Sequence, residues 1–121
     1  MTKVLIVDDT PQVRMLVGRY LQAKGYEISE AENGEEGVVA AIADRPDLIL
    51  MDLNMPVMDG REYLRELRKL PGGSAPVVIF VTTENDLDHI QAALEAGANE
   101  YIMKPFDSEI IESKLTQVGL L

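Results

Sequence analysis

The chain has 121 residues, 46% of them apolar, with 21 acidic against 11 basic side chains, a formal charge of −10, one histidine and no cysteine. That length and apolar content suit a single domain with one core, the missing cysteine excludes disulfides and thiolate metal sites, and the acidic balance argues against gripping a nucleic-acid backbone through a basic surface. No apolar segment approaches the roughly 20 residues of a membrane-spanning helix, and the strand-like run at Lys3 follows no charged-then-apolar leader, so a soluble, cytoplasmic protein without membrane insertion is expected.

In chain order, residues 3–7 read as a first strand. Thr10 and Pro11 then stand as cap and first helical position before Val13, Leu16, Val17, Tyr20 and Leu21 at helical spacing, and Gly25 suits the stop. A second strand over 27–31 is followed by a helix carrying Val38, Ala41 and Ile42. The third strand, 48–51, runs into Asp52 and a proline-broken stretch, DLNMPVMDG. Asp59, three residues before Glu62, resembles a capping box for a helix with Leu64, Leu67 and Leu70, ended near Gly72. The segment PGGSAP at 71–76 is a loop too short to divide domains. A fourth strand over 77–81, a helix with Ile90, Ala93 and Leu94, and a stop at Gly97 lead to a fifth strand at 101–103. Asp107 opens the last helix, with Ile110, Ile111, Leu115 and Val118.

Strict alternation of five strands and five helices predicts a parallel sheet covered on both faces, since each crossover packs back onto the sheet. The near-continuous apolar runs VLIV, LILM and VVIFV fit strands buried on both sides. There is no internal repeat, linker or low-complexity segment. One doubly wound α/β domain over residues 1–121, with no output domain after the last helix, is the expectation.

In such sheets ligands bind at the carboxyl ends of the strands, where the strand order reverses. Those ends carry Asp8-Asp9, Asp52, Thr82-Thr83 and Lys104-Pro105. If the first and third strands are neighbours, three carboxylates share a pocket with a hydroxyl and an ammonium. Two unit charges ~4 Å apart repel by about 4 kcal/mol at an effective dielectric of 20, so the cluster needs compensation. Lys104 can neutralise one acid, and a hard divalent cation that prefers oxygen suits the rest; Mg²⁺ is characteristic of acidic clusters beside phosphoryl sites. Asp52 can then act as a nucleophile forming an aspartyl phosphate, with Lys104 and the Thr82 hydroxyl around the phosphoryl oxygens.

Singly, each residue has a plainer reading. An acid after a strand is usually a turn or cap residue, Thr82 can simply end a β-branched strand, and Lys104 can be a surface charge before a turn-setting proline. Jointly those readings weaken, because independent turns have no reason to gather acids, hydroxyl and ammonium at one sheet edge. His89 reads as a solvated helix residue, and Met51, Met55 and Met58 as packing and loop residues.

Asp8-Asp9, the stretch Asp52-Leu53-Asn54-Met55-Pro56-Val57-Met58-Asp59-Gly60, Thr82 and Lys104-Pro105-Phe106 together closely resemble the receiver domain of two-component response regulators, over essentially the whole chain. The resemblance implies a flavodoxin-like fold with strand order 2-1-3-4-5, for which the chemotaxis receiver is a standard example. It implies that Asp52 accepts a phosphoryl group from a histidine kinase or phosphotransfer protein. Asp9 and Asp52 would bind Mg²⁺ directly, Asp8 through bound water, and the backbone carbonyl of Asn54 would add a ligand. Lys104 would contact the phosphoryl oxygens, Thr82 would swing toward them, and Tyr101 would turn inward. The face formed by the predicted fourth helix, fifth strand and fifth helix would then meet a protein target, from a chain monomeric before phosphorylation. Thr83 stands where the family often has a smaller residue, and Asn54 and Glu84 where it tunes dephosphorylation. Chemotaxis-type control is the favoured destination; a phosphorelay intermediate and a phosphate sink are the alternatives.

Three rivals fare less well. An aspartate-nucleophile phosphohydrolase resembling the haloacid dehalogenases needs an acid two residues after the nucleophile, where this chain has Asn54. A flavodoxin-like FMN carrier needs a hydroxyl- and glycine-rich phosphate cradle, where Asp8-Asp9-Thr10-Pro11 would repel phosphate. A non-phosphorylated docking module has no use for an intact acid cluster with Thr82 and Lys104.

Overall fold

In a computed structural model of the chain, residues 2–52, 60–73, 75–82, 91, 94–95, 97–104 and 106–119 are described. The elements are β1 (Lys3–Val7), α1 (Pro11–Ala23), β2 (Glu27–Ala31), α2 (Gly34–Asp44), β3 (Leu48–Asp52), α3 (Gly60–Lys69), β4 (Val77–Thr82), β5 (Glu100–Met103) and α4 (Ser108–Gln117). The five strands form one parallel sheet in the order β2-β1-β3-β4-β5, as the resemblance implied. Four helices have full bounds among the described residues, against five expected. The remaining one, with Ile90, Ala93 and Leu94, falls largely outside the described residues, although Gln91, Leu94 and Glu95 are helical.

The two-residue period of the strands splits their side chains between two cores. Leu5, Val7, Ile49, Met51, Val78 and Phe80 join Tyr63, Leu64 and Leu67 beneath α2 and α3. Val4, Ile6, Leu48, Leu50, Ile79, Val81 and Ile102 join Val17, Leu21, Ile111 and Leu115 beneath α1 and α4. Every residue of β3 is buried, which is why its sequence shows no polar alternation. β2 lies at one edge and is correspondingly the most polar strand.

The helix ends follow local chemistry. Asn33 caps α2 by accepting from the Glu36 N–H at 2.9 Å, and Asp107 caps α4 by accepting from the Ile110 N–H at 3.0 Å. Thr10 occupies the cap position of α1 as expected, but its side chain makes no cap bond. Its own N–H instead donates to Asp8 Oδ1 at 2.8 Å, because the preceding acid is near enough to take it. The cap expected from Asp59 lies outside the described residues. Gly37 is needed for packing: a Cβ there would come within 2.9 Å of the Tyr63 ring and 3.1 Å of Val7, so its absence lets α2 approach both α3 and β1.

Candidate functional site

Register brings the acids together. β1 and β3 pair with Val4 opposite Leu48 and Val7 opposite Met51, so the residues that follow, Asp8 and Asp52, emerge side by side at the carboxyl edge. Both are buried, 2% and 7% exposed, while Asp9 is exposed on the loop into α1. One carboxylate oxygen from each of Asp8, Asp9 and Asp52 lies within 4.8 Å of the others. The convergence expected of these three residues is therefore present.

The next strand pairs extend the edge. β3 and β4 place Asp52 opposite Val81, and β4 and β5 place Thr82 opposite Met103. The Lys104 N–H donates to the Thr82 carbonyl at 2.7 Å, which fixes the turn that sends the lysine side chain back toward β1 and β3. Its Nζ stands 3.4 Å from Asp8 Oδ2 and 3.7 Å from Asp52 Oδ2. Thr82 is 1% exposed at this edge. Among the described residues, one ammonium thus pairs with two of the three clustered carboxylates.

Around the acids the scaffold is firmly held. Asp8 donates its N–H to the Ala31 carbonyl at 3.1 Å, and its carbonyl accepts from the Arg14 guanidinium. Arg14 Nε also meets Glu30 Oε1 at 3.2 Å, so one side chain of α1 ties the acid loop to the neighbouring strand β2. Arg14 was not singled out from the sequence, where a basic residue in a first helical turn looks like any solvated charge.

Oxygen donors suit a hard cation. In Mg²⁺ sites the metal–oxygen distance of about 2.0–2.1 Å puts paired ligand oxygens roughly 2.9 to 4.2 Å apart. Three carboxylate oxygens within 4.8 Å, two of them on buried side chains, need only a small closure or a bridging water to share one ion. The carbonyl of Asn54, expected as a further ligand, lies outside the described residues, as do Thr83, Glu84, His89, Met55, Met58 and Pro105. Met51 is fully buried core, as read from its apolar run. An apolar groove of about 520 Å³ between α1 and α4, lined by Val13, Leu16, Tyr20 and Phe106, opens beside Lys104.

Tyr101 lies on β5 opposite Phe80, half-buried against the cluster beneath α2 and α3. The Lys114 ammonium lies 5.0 Å from its ring centroid. Neither this lysine nor its contact was legible in the sequence.

Comparison with known proteins agrees with the geometry. The family model for the response regulator receiver domain matches residues 4–116. The chain is 35% identical over 119 residues to protein PilH of Pseudomonas aeruginosa, covering 98% of each. It is 39% identical over 105 residues to the transcriptional regulatory protein ResD of Bacillus subtilis, covering 87% of this chain and 42% of that protein. The chain spans about half the length of several curated relatives it matches. Among solved structures, the Vibrio cholerae chemotaxis protein CheY4 superposes with a TM-score of 0.93 at 36% identity, covering 98% of both chains.

Proposed function

This chain belongs to the response regulator receiver domain family of two-component signalling, and on that premise we propose that Asp52 is its phosphoacceptor, charged by a histidine kinase or phosphotransfer protein and read by a protein target. The observation that carries the reading is the buried Asp52 carboxylate, within 4.8 Å of Asp8 and Asp9 oxygens and 3.7 Å from the Lys104 ammonium. Receivers are signalling proteins rather than dedicated enzymes, so the chemistry is a single reversible transfer.

In that transfer an oxygen of Asp52 attacks phosphorus, the P–N bond of the donor phosphohistidine breaks, and its electron pair returns to the imidazole nitrogen, which takes up a proton. The product is a mixed anhydride. Lys104, already beside Asp52, offers its ammonium to the phosphoryl oxygens, and Thr82 offers a hydroxyl from the adjoining strand end. Asp8, Asp9, Asp52 and the Asn54 carbonyl would hold Mg²⁺, which when bound neutralises charge on the phosphoryl oxygens. Arg14 keeps the Asp8 backbone in place through its carbonyl. Tyr101, on the strand that ends at the Lys104 turn, turns inward as Thr82 moves, and the bias between its two positions carries the signal.

The destination is proposed as chemotaxis-type control, supported by the likeness to CheY4 over nearly the full length of both chains. Likeness to transcriptional regulators favours the same switch with another output. No helix of the described residues is long and apolar enough to cross a membrane. The test is intact mass after incubation with acetyl phosphate and Mg²⁺: wild type gains one phosphoryl group and Asp52→Asn gains none. Equal uptake by both proteins overturns the assignment of Asp52. Phosphotransfer profiling against the purified kinases of the source organism identifies the pathway.

A further inference from the structure

β5 is an outer strand of the sheet, and the Tyr101 ring on it packs with the core beneath α2 and α3. α4 belongs to the opposite layer, where it buries Ile111 and Leu115. Lys114 of α4 nevertheless reaches round the sheet edge, its ammonium 5.0 Å from the Tyr101 ring centroid and 3.2 Å from Glu100 Oε1. The same Glu100 oxygen accepts the Tyr101 N–H at 3.0 Å. Both members of the ion pair are largely covered, with side chains 22% and 23% exposed. A cation from one layer is thus held against a ring of the other by the residue that precedes that ring.

We infer that Lys114 is a positioning residue for Tyr101: clamped by Glu100, its ammonium holds the ring in the half-buried place it occupies here and sets how much phosphoryl binding energy is needed to turn it inward. The inference rests on reading Tyr101 as the ring that moves on phosphorylation. The physical reason is differential contact, since the cation–π attraction exists only while the ring lies under the ammonium. At a part-exposed site such an attraction biases a two-state equilibrium by about two- to fivefold. A ligand that favours the inward state works against that bias, and its apparent affinity falls by the same factor.

The test uses the full chain labelled with fluorotyrosine, whose four tyrosine lines are assigned with Tyr101→Phe. Beryllofluoride with Mg²⁺ serves as the phosphoryl mimic and is titrated while the Tyr101 line is followed by fluorine NMR. Lys114→Met, which keeps the apolar stem and drops the charge, is expected to reach its midpoint at about two- to fivefold lower beryllofluoride than wild type. Lys114→Arg, which restores a cation over the ring, is expected to match wild type, and Glu100→Gln to fall between. A Lys114→Met midpoint equal to wild type overturns the inference. Should Lys114→Met misfold, an unchanged midpoint in Glu100→Gln overturns it equally. A wild-type Tyr101 line that stays still while beryllofluoride saturates the site overturns instead the reading of Tyr101 on which the inference stands.

Discussion

The two ends of this sheet treat charge in opposite ways. At the amino ends of β4 and β5, Arg68 from the last turn of α3 donates to the carbonyls of Gly73 and Pro76, each at 2.8 Å, to that of Gly97 at 3.0 Å and to Asn99 Oδ1 at 3.4 Å. Asn99 Oδ1 also accepts the Val78 N–H at 2.9 Å, and the Asn99 N–H donates to the Val78 carbonyl at 2.8 Å. Each of these acceptors is neutral, and burial lowers the pKa of the guanidinium. Gly73 belongs to the same arrangement, because any Cβ there would collide with the Leu67 carbonyl oxygen. At the carboxyl ends, Asp8, Asp9 and Asp52 crowd together, and Lys104 pairs with Asp8 and Asp52. Among the described residues, one guanidinium meets neutral oxygens at the first end, and one ammonium meets two of three clustered carboxylates at the second. Polar groups matched within the chain hold the fold, whereas on the reading proposed above the clustered carboxylates are where a cation or a phosphoryl group would lower the energy.

The sharpest way to break this contrast is at the amino end. Arg68→Met leaves carbonyls that had shared a charged donor, and we expect a loss of about 2–3 kcal/mol in urea unfolding, with phosphoryl uptake per folded molecule unchanged. A loss below about 0.5 kcal/mol would place Arg68 among ordinary surface charges. The carboxyl end should respond with the opposite sign. Two carboxylate charges 4.8 Å apart repel by about 3.5 kcal/mol at an effective dielectric of 20, a repulsion partly offset by Lys104. Asp52→Asn is therefore expected to raise stability by about 1–2 kcal/mol in the same assay while abolishing phosphoryl uptake. A destabilised Asp52→Asn protein would mean that Lys104 already outweighs the crowding.

Added cation should sharpen the contrast further. At ten times its dissociation constant, Mg²⁺ should stabilise wild type by about 1.4 kcal/mol, read as a rise in Tm, and stabilise Asp9→Asn less. An equal rise in both proteins would remove Asp9 from the cation site. The smallest effect concerns a buried hydroxyl that the fold matches internally. The Tyr63 hydroxyl donates to the Gly37 carbonyl at 3.0 Å, and burial pushes its pKa up. Because the folded value lies above the unfolded one, this contribution is complete below the ordinary phenol value and declines as pH rises past it. Wild type should lose under about 1 kcal/mol between neutral pH and pH ~10.5 through this group, a slope absent in Tyr63→Phe.

Much of the architecture was legible because its causes are local. The strands read at 3–7 and 27–31 match β1 and β2, and the other three differ by a single residue at one end. In β3 and β4 that residue is Asp52 and Thr82, polar side chains that end apolar runs; both are buried and still paired with the neighbouring strand, which keeps them in the sheet. Site acids were legible for a related reason, since a carboxylate closing a buried strand is costly and so conspicuous. Arg14, Arg68 and Lys114 were not, because a long basic side chain on a helix looks the same in sequence whether it meets water or a partner. Arg68 reaches acceptors up to 31 positions away, which no local pattern reports.

From the order of residues alone came the alternation of strands and helices, the two-sided burial of the central strands, and the kinds of chemical group at their ends, all consequences of periodicity and of the cost of burying charge. Tertiary structure alone decided which of those groups meet. Lys104 and Asp8, 96 positions apart, come within 3.4 Å because parallel register aligns the strand ends, and Lys114 finds Tyr101 because β5 lies at an edge that a side chain can reach around. Register and edge position are properties of the whole sheet, set by packing of both cores at once, so no single stretch of sequence contains them.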